Sequence, residues 1–229
     1  MNSPKALILS GHGRYSDQWH DHAGVSHELA KFLDGMGVQT TVRAMLQGCT
    51  EGIDDFDLVV VNGGWGRVEP KFDGTDEDWL PDHERFYKYA KSGKGILVYH
   101  QGINSFTDSP YWEEIVGGKW VRGTTYHPKI SDAHFHVIEG AHPITDGFAE
   151  LNTYDERYTK LVVGPTVTAL VTHHEIDQDW TVVWVNEAGG VKVVYDALGH
   201  LPEAIAHPQR RELLRREFSW LLDRDLREE

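Results

Sequence analysis

The chain has 229 residues, 40% hydrophobic and 11% aromatic, enough apolar material to pack a core in one large domain or two small ones. Its 22 lysines and arginines against 36 aspartates and glutamates leave a net charge of −14, which works against broad contact with nucleic acid or an anionic membrane. No stretch approaches the ~20 apolar residues of a membrane span or carries a signal peptide's apolar segment, and the lone Cys49 has no disulfide partner, so the expectation is a cytoplasmic protein with neither nucleic-acid nor membrane partners.

Ala6-Leu7-Ile8-Leu9 predicts a buried first strand that exits into Ser10-Gly11-His12-Gly13. Val25, Leu29, Phe32, Leu33 and Met36 then recur at helical spacing, and Gly35 and Gly37 stop that helix. Gln39 to Val42 predicts a weaker second strand, and Asp57 to Val61 a third that ends in Asn62-Gly63-Gly64-Trp65-Gly66. Helical spacing returns from Glu84 to Ala90, and Gly95 to Tyr99 predicts a fourth strand ending in His100-Gln101-Gly102. These strands are apolar on consecutive rather than alternate residues, as in a parallel sheet covered on both faces. Residues 120–136, broken by Gly, Thr and Pro, predict a loop with short strands. Strand candidates follow at 167–172, 181–185 and 191–195, the last two joined by the hairpin turn Glu187-Ala188-Gly189-Gly190, which adds antiparallel strands. A final helix has Pro208 in its first turn, Leu214, Phe218 and Leu221 on one face, and Arg211, Arg215 and Arg216 on a solvated one. No linker, repeat or low-complexity segment divides the chain. The expectation is one domain, residues 1–229, of the α/β class: doubly wound, with a mainly parallel central sheet, helices on both faces and some antiparallel additions.

In open α/β sheets, ligands bind outside the carboxyl ends of the strands. His12, Asn62 to Trp65, His100 and His200 stand at such ends, beside Gly11, Gly63, Gly102 and Gly199. His100 directly follows an apolar strand and precedes Gln101-Gly102, a setting like a nucleophile elbow. No Gly-x-Ser-x-Gly occurs and Cys49 lies in a loop, so acyl transfer by Ser or Cys is disfavoured and the imidazole remains as a general base or metal ligand. Glu156, in Asp155-Glu156-x-Tyr158, can bind a metal, orient an imidazole or move a proton, although a solvated loop with a capping Asp reads the same segment equally well. His12, His100, Glu156 and His200 are expected around one cavity. His20-Asp21-His22 lacks the i, i+4 spacing of a zinc-protease helix, and His27 falls on the solvent side of the first helix. His134-x-His136 fits exposed alternation along a strand, and His83, His173 and His174 read as surface. Gly11-His12-Gly13-Arg14-Tyr15-Ser16 imitates a dinucleotide fingerprint, but Ser16 replaces the third Gly and the helix begins late, so no NAD is expected.

Several segments follow one another in an order that resembles the ThuA-like (trehalose-utilisation) family. They are Ser10-Gly11-His12, the helix from His27, Tyr99-His100-Gln101-Gly102, Gly117-Gly118-Lys119-Trp120 leading to His127-Pro128, His142-Pro143-Ile144, Tyr154-Asp155-Glu156-x-Tyr158 and Leu198-Gly199-His200. The resemblance implies a class I glutamine amidotransferase-like (flavodoxin-like) fold with His100 where an amidotransferase carries its Cys, so glutaminase activity should be absent. It also implies an enzyme of carbohydrate metabolism that works beside a sugar dehydrogenase on a small-molecule sugar, a keto-glycoside or relative. Proton abstraction next to the ketone, by His100 or Glu156, would then isomerise the sugar or eliminate a glycosidic oxygen. His12, Trp65, His127 and Tyr158 are the expected substrate contacts, and His100, Glu156 and His200 the expected ligands of a divalent metal, Zn or Mn. Trp19, Trp65 and Trp120 offer flat faces for a sugar ring, and the loop from Tyr15 to His22 is longer than the family pattern. A metal-dependent glycoside hydrolase and a catalytically silent sugar-binding or regulatory module remain as alternatives, and homo-oligomerisation is left open.

Overall fold

The computed structural model describes residues 3–228. The four expected early strands are β1 (Lys5–Ser10), β2 (Gln39–Ala44), β3 (Leu58–Asn62) and β4 (Gly95–Tyr99). The others are β5 (Gly118–Lys119), β6 (Ser131–Val137), β7 (Glu150–Asp155), β8 (Val162–Val163), β9 (Thr168–Glu175), β10 (Gln178–Asn186) and β11 (Lys192–Asp196). One sheet runs in the order β2-β1-β3-β4-β11-β10-β9-β6-β7, and β5 pairs separately with β8. From β2 to β11 every pairing is parallel, with Leu7 opposite Val59 and Val193 opposite Ile96. From β11 to β7 every pairing is antiparallel.

Consecutive apolar residues build the parallel half because both of its faces are covered: all five residues of β3 and of β4 are buried. The helices are α1 (His22–Asp34), α2 (Pro70–Asp73), α3 (Asp76–Lys91), α4 (Trp112–Val116) and α5 (Pro208–Leu221). The chain steps one way along the sheet from β1 to β2 and the other way from β3 to β4. Right-handed crossovers therefore place α1 and α3 on opposite faces. The α5 helix joins α1, with the Phe32 and Phe218 rings 6.2 Å apart, while Phe86 of α3 meets Trp112 of α4 at 5.7 Å. No helix among the described residues is long and apolar enough to cross a membrane.

Several elements depart from the sequence expectation, among them the short α2, α4, β5 and β8, which it did not include. The α3 helix begins at Asp76, where Thr75 and Asp78 form a capping box, well before the apolar period from Glu84. Asp82 and His83 occupy buried positions on its inner face and so hide the period in the sequence. Within the segment expected as a loop, β6 is a seven-residue strand of alternating burial. The edge strand β7 was not expected at all, since only Leu151, Thr153 and Asp155 turn inward and two of these are polar. His83 and His173, expected at the surface, are both buried. His83 Nε2 lies 3.1 Å from Asp108, and His173 Nε2 lies 2.9 Å from the Tyr158 carbonyl, so each is accommodated by a hydrogen-bonding partner.

Candidate functional site

The parallel half of the sheet delivers its strand ends to one edge, and four polar side chains converge there. His100 is the first residue after β4 and takes φ +47°, a left-handed conformation that turns the chain sharply. Gly102 completes the turn, since a Cβ at that position would collide with the Val61 carbonyl of β3. His100 Nδ1 donates to the Ala197 carbonyl at 2.6 Å, which leaves Nε2 with its lone pair facing inward. The Tyr158 hydroxyl sits 2.9 Å from that Nε2, and Glu156 Oε2 sits 3.6 Å away. Burial, and then the nearby His20 imidazole, hold the His100 pKa well below its ordinary value.

Glu156 follows β7 directly, and its place is fixed by its neighbour. Asp155 accepts backbone N–H bonds from Glu156 (2.9 Å), Gly199 (2.7 Å) and His200 (3.1 Å), tying the end of β7 to the loop after β11. Glu156 Oε1 is 3.4 Å from His200 Nδ1 and 3.4 Å from His127 Nδ1. Burial first, then the charges of Asp155 and Asp17, raise the Glu156 pKa to about 8. His200 is lowered to about 4, chiefly by burial and then by His20 and His127.

The fourth member is His20, from the long loop between β1 and α1. Asp17 shapes that loop by accepting from the backbone N–H groups of Trp19 and His20. Both Asp17 oxygens also lie 2.8 Å from His20 Nδ1, so His20 Nε2 points to the same centre. The His20 ring is 5.1 Å from that of His100 and 4.8 Å from that of His200.

One ligand atom each from His20, His100, Glu156 and His200 falls within 4.8 Å of the other three. Around a cation with ~2.1 Å bonds, tetrahedral ligand atoms stand about 3.4 Å apart. Glu156 Oε1 lies 3.4 Å from His200 Nδ1 and its other oxygen, Oε2, lies 3.6 Å from His100 Nε2, so the carboxylate faces both imidazoles at separations of that order. His20 Nε2, His200 Nδ1 and Glu156 Oε2 are buried without a hydrogen-bond partner, a costly state that a cation would relieve. Two of the imidazoles are oriented through Nδ1 by a carboxylate and a backbone carbonyl, the outer arrangement typical of metal-bound histidine. The residues present therefore fit a divalent cation. Asp17, His20 and His22 also approach one another, but Asp17 is already bonded to His20.

The structure thus brings together His100, Glu156 and His200, with Tyr158 against His100 and His127 against Glu156. His12 does not join them. It is exposed on extended backbone (φ −151°) at the head of the short turn 13–15, and the chain reaches the cluster only at His20. Sequence reasoning missed His20, and the signal available was Asp17-x-x-His20, a side-chain-capped turn that orients an imidazole. Trp65, 43% exposed, lines a cavity of about 420 Å³ whose wall includes Trp120. Trp120 in turn packs edge-on against Tyr158, with centroids 4.8 Å apart. Trp19 is exposed and lines a neighbouring cavity. Cys49 is buried and its thiol pushed up by burial, so it is no nucleophile.

A family model described as ThuA, trehalose utilisation, matches residues 5–221. Among solved structures, a ThuA-like protein from Parabacteroides merdae superposes with a TM-score of 0.72 at 17% identity, covering 97% of this chain and 91% of that one. A second ThuA-like protein, from Bacteroides uniformis, gives 0.71 at 16% identity, covering 96% and 93%. A glutamine amidotransferase from Thermotoga maritima gives 0.59 at 10% identity, covering 97% and 100%, so the fold is shared with that class. No functionally curated protein matches the chain.

Proposed function

Since the chain belongs to the ThuA family of trehalose utilisation, we propose that it is a cation-assisted enzyme of carbohydrate utilisation that moves a proton beside the ketone of a keto-glycoside or related keto-sugar. The observation that carries this reading is the convergence of His20, His100, Glu156 and His200 within 4.8 Å, with three of the four inward atoms buried and unpartnered. His20, His100, Glu156 and His200 would hold a divalent ion, Zn or Mn, which would supply positive charge to neutralise the oxyanion that develops from the ketone.

The chain's own groups divide the remaining work. The Glu156 carboxylate takes the proton from the carbon next to the ketone, and the C–H electron pair moves into the new C=C as the carbonyl oxygen becomes anionic. Burial raises the Glu156 pKa in the cation-free chain, and a divalent ion beside the carboxylate would draw it down again, so that the base would be ionised at neutral pH. His127, at 3.4 Å from Oε1 and partly exposed, connects Glu156 to solvent. The Tyr158 hydroxyl now bonds His100 Nε2, and were that nitrogen to hold a cation the hydroxyl would be free to donate to a substrate oxygen. Burial keeps that phenol protonated, its pKa held far above the ordinary value. Return of the proton to the adjoining carbon, with the neighbouring hydroxyl proton passing to the former carbonyl oxygen, isomerises the sugar. Departure of a β-glycosidic oxygen, which takes up the proton held by Glu156 as the ketone re-forms, completes an elimination instead.

The test is proton exchange. A keto-glucoside incubated in D₂O with cation-loaded protein should gain deuterium at the carbon beside the ketone, and Glu156→Gln should slow that exchange by at least about 100-fold. Sugar release without deuterium incorporation would favour hydrolysis instead, and an unchanged rate in Glu156→Gln would remove Glu156 from the reaction.

A further inference from the structure

We infer that the sugar taken by this site carries an oxyanion, a carboxylate or a phosphate, on the part that lies over Trp65. The inference rests on the sugar-binding reading above and deepens it.

Trp65 stands between two adjoining cavities, each bounded by a residue that touches a neighbour or a member of the cluster. The cavity of about 420 Å³ on one side is walled by Trp120, which packs on the Tyr158 that bonds His100. The cavity of about 610 Å³ on the other side is walled by Asp17, which bonds His20. Arg122 lines the first cavity and Arg67 the second, and both are exposed. Among the described residues neither arginine has a carboxylate or carbonyl partner, whereas Arg14, Arg85, Arg210 and Arg215 each hold a carboxylate. The acidic groups beside them are already engaged: Glu113 in the first cavity pairs with Lys119 at 2.9 Å, and Asp17 in the second with His20 at 2.8 Å. In a chain of net charge −14, two guanidiniums beside one aromatic residue have no acidic partner that gives a reason for their place.

Their geometry supplies one. The Arg122 guanidinium lies against the Trp65 ring, and among the described residues its N–H groups have no carboxylate or carbonyl partner. A guanidinium edge donates two parallel hydrogen bonds to a carboxylate or phosphate, and a neutral sugar hydroxyl cannot use it in this way. A sugar bound across Trp65 would then place its anionic group between Arg122 and Arg67 and its reacting carbon toward Glu156.

Calorimetric titration of the full chain with D-glucuronate, D-glucose 6-phosphate and D-glucose tests this, each run with chelated and with cation-loaded protein. At least one anionic sugar should bind about tenfold tighter than glucose, and the better of the two identifies carboxylate or phosphate as the source. In Arg67→Gln/Arg122→Gln that advantage should fall to within about twofold while glucose affinity stays unchanged. Equal affinity for all three sugars, no saturable binding of either anionic sugar, or a preference that survives in the double variant overturns the inference. A surviving preference that appears only with cation would assign the anion to the cluster. The chelated series does not depend on the cation, so loss of the cation reading leaves this outcome legible.

Discussion

Glu156 is held where a carboxylate is expensive, and that expense has a pH signature. Its folded pKa of about 8 lies above the ordinary 4.5, so between those values the folded chain binds more protons than the unfolded one. Stability of the chelated protein therefore falls as pH rises from about 4.5 through about 8, by up to about 5 kcal/mol from this group as an upper bound. His200 works in the opposite sense: its folded pKa of about 4 lies below 6.5, so it costs stability as pH falls through that window. Thermal melts of chelated Glu156→Gln should lose the decline toward pH 8 and exceed wild type there. A chelated wild type whose melting temperature changes between pH 7 and 8 no more than that of Glu156→Gln would show that Glu156 carries no such load. Asp155 is the second residue of consequence, since one carboxylate positions both Glu156 and His200. Asp155→Asn gives up acceptor capacity for its three N–H donors and should weaken cation affinity about 10- to 100-fold, read by competition with a chelator. An unchanged affinity would mean that these bonds serve the fold alone. His100 was legible in the sequence because it directly follows an apolar strand and precedes Gln101-Gly102, and His200 because it follows Gly199 in the loop after a strand. His20 was not, because its position depends on how a loop closes around Asp17 rather than on any periodicity.

At the level of elements, strands with runs of consecutive apolar residues were readable, and β6 and β7, whose burial alternates, were not read as full strands. Residues 58–62 and 95–99 announce themselves by uninterrupted apolar runs. Strand β7 shows two polar residues among its three inward positions, so the strand that delivers Glu156 has the weakest signal in the sheet. Helix α3 shows the same effect, with Asp82 bonding the backbone of Gly48 and Thr50 from a buried position that a helical period would assign to an apolar residue. The turn after β4 is the element on which the site depends most. Gly102→Ala should force its Cβ against the Val61 carbonyl and cost about 1–3 kcal/mol in denaturant unfolding. Because His100 is two residues away, cation affinity should fall with it. A variant as stable as wild type would show that the turn relaxes freely.

For the whole molecule, the four inward-facing groups come from the loop after β1, the end of β4, the end of β7 and the loop after β11. They are distant in sequence and adjacent only because the sheet order places β11 beside β4 and Asp155 binds the loop that follows it. A cation bound there would join both halves of the sheet and add stability in proportion to its occupancy, so melting temperature should rise with free Zn²⁺ or Mn²⁺. The central claim is that these four residues form one cation site, and metal stoichiometry measured on untagged protein tests it most directly. The account predicts close to one divalent ion per chain in wild type, removed by chelation and restored on dialysis. It also predicts loss of the ion in each of His20→Ala, His100→Ala and His200→Ala, with the folded state of each verified by circular dichroism. Wild-type protein that takes up no Zn²⁺ or Mn²⁺ after dialysis, or His20→Ala protein that retains a full equivalent, would contradict it.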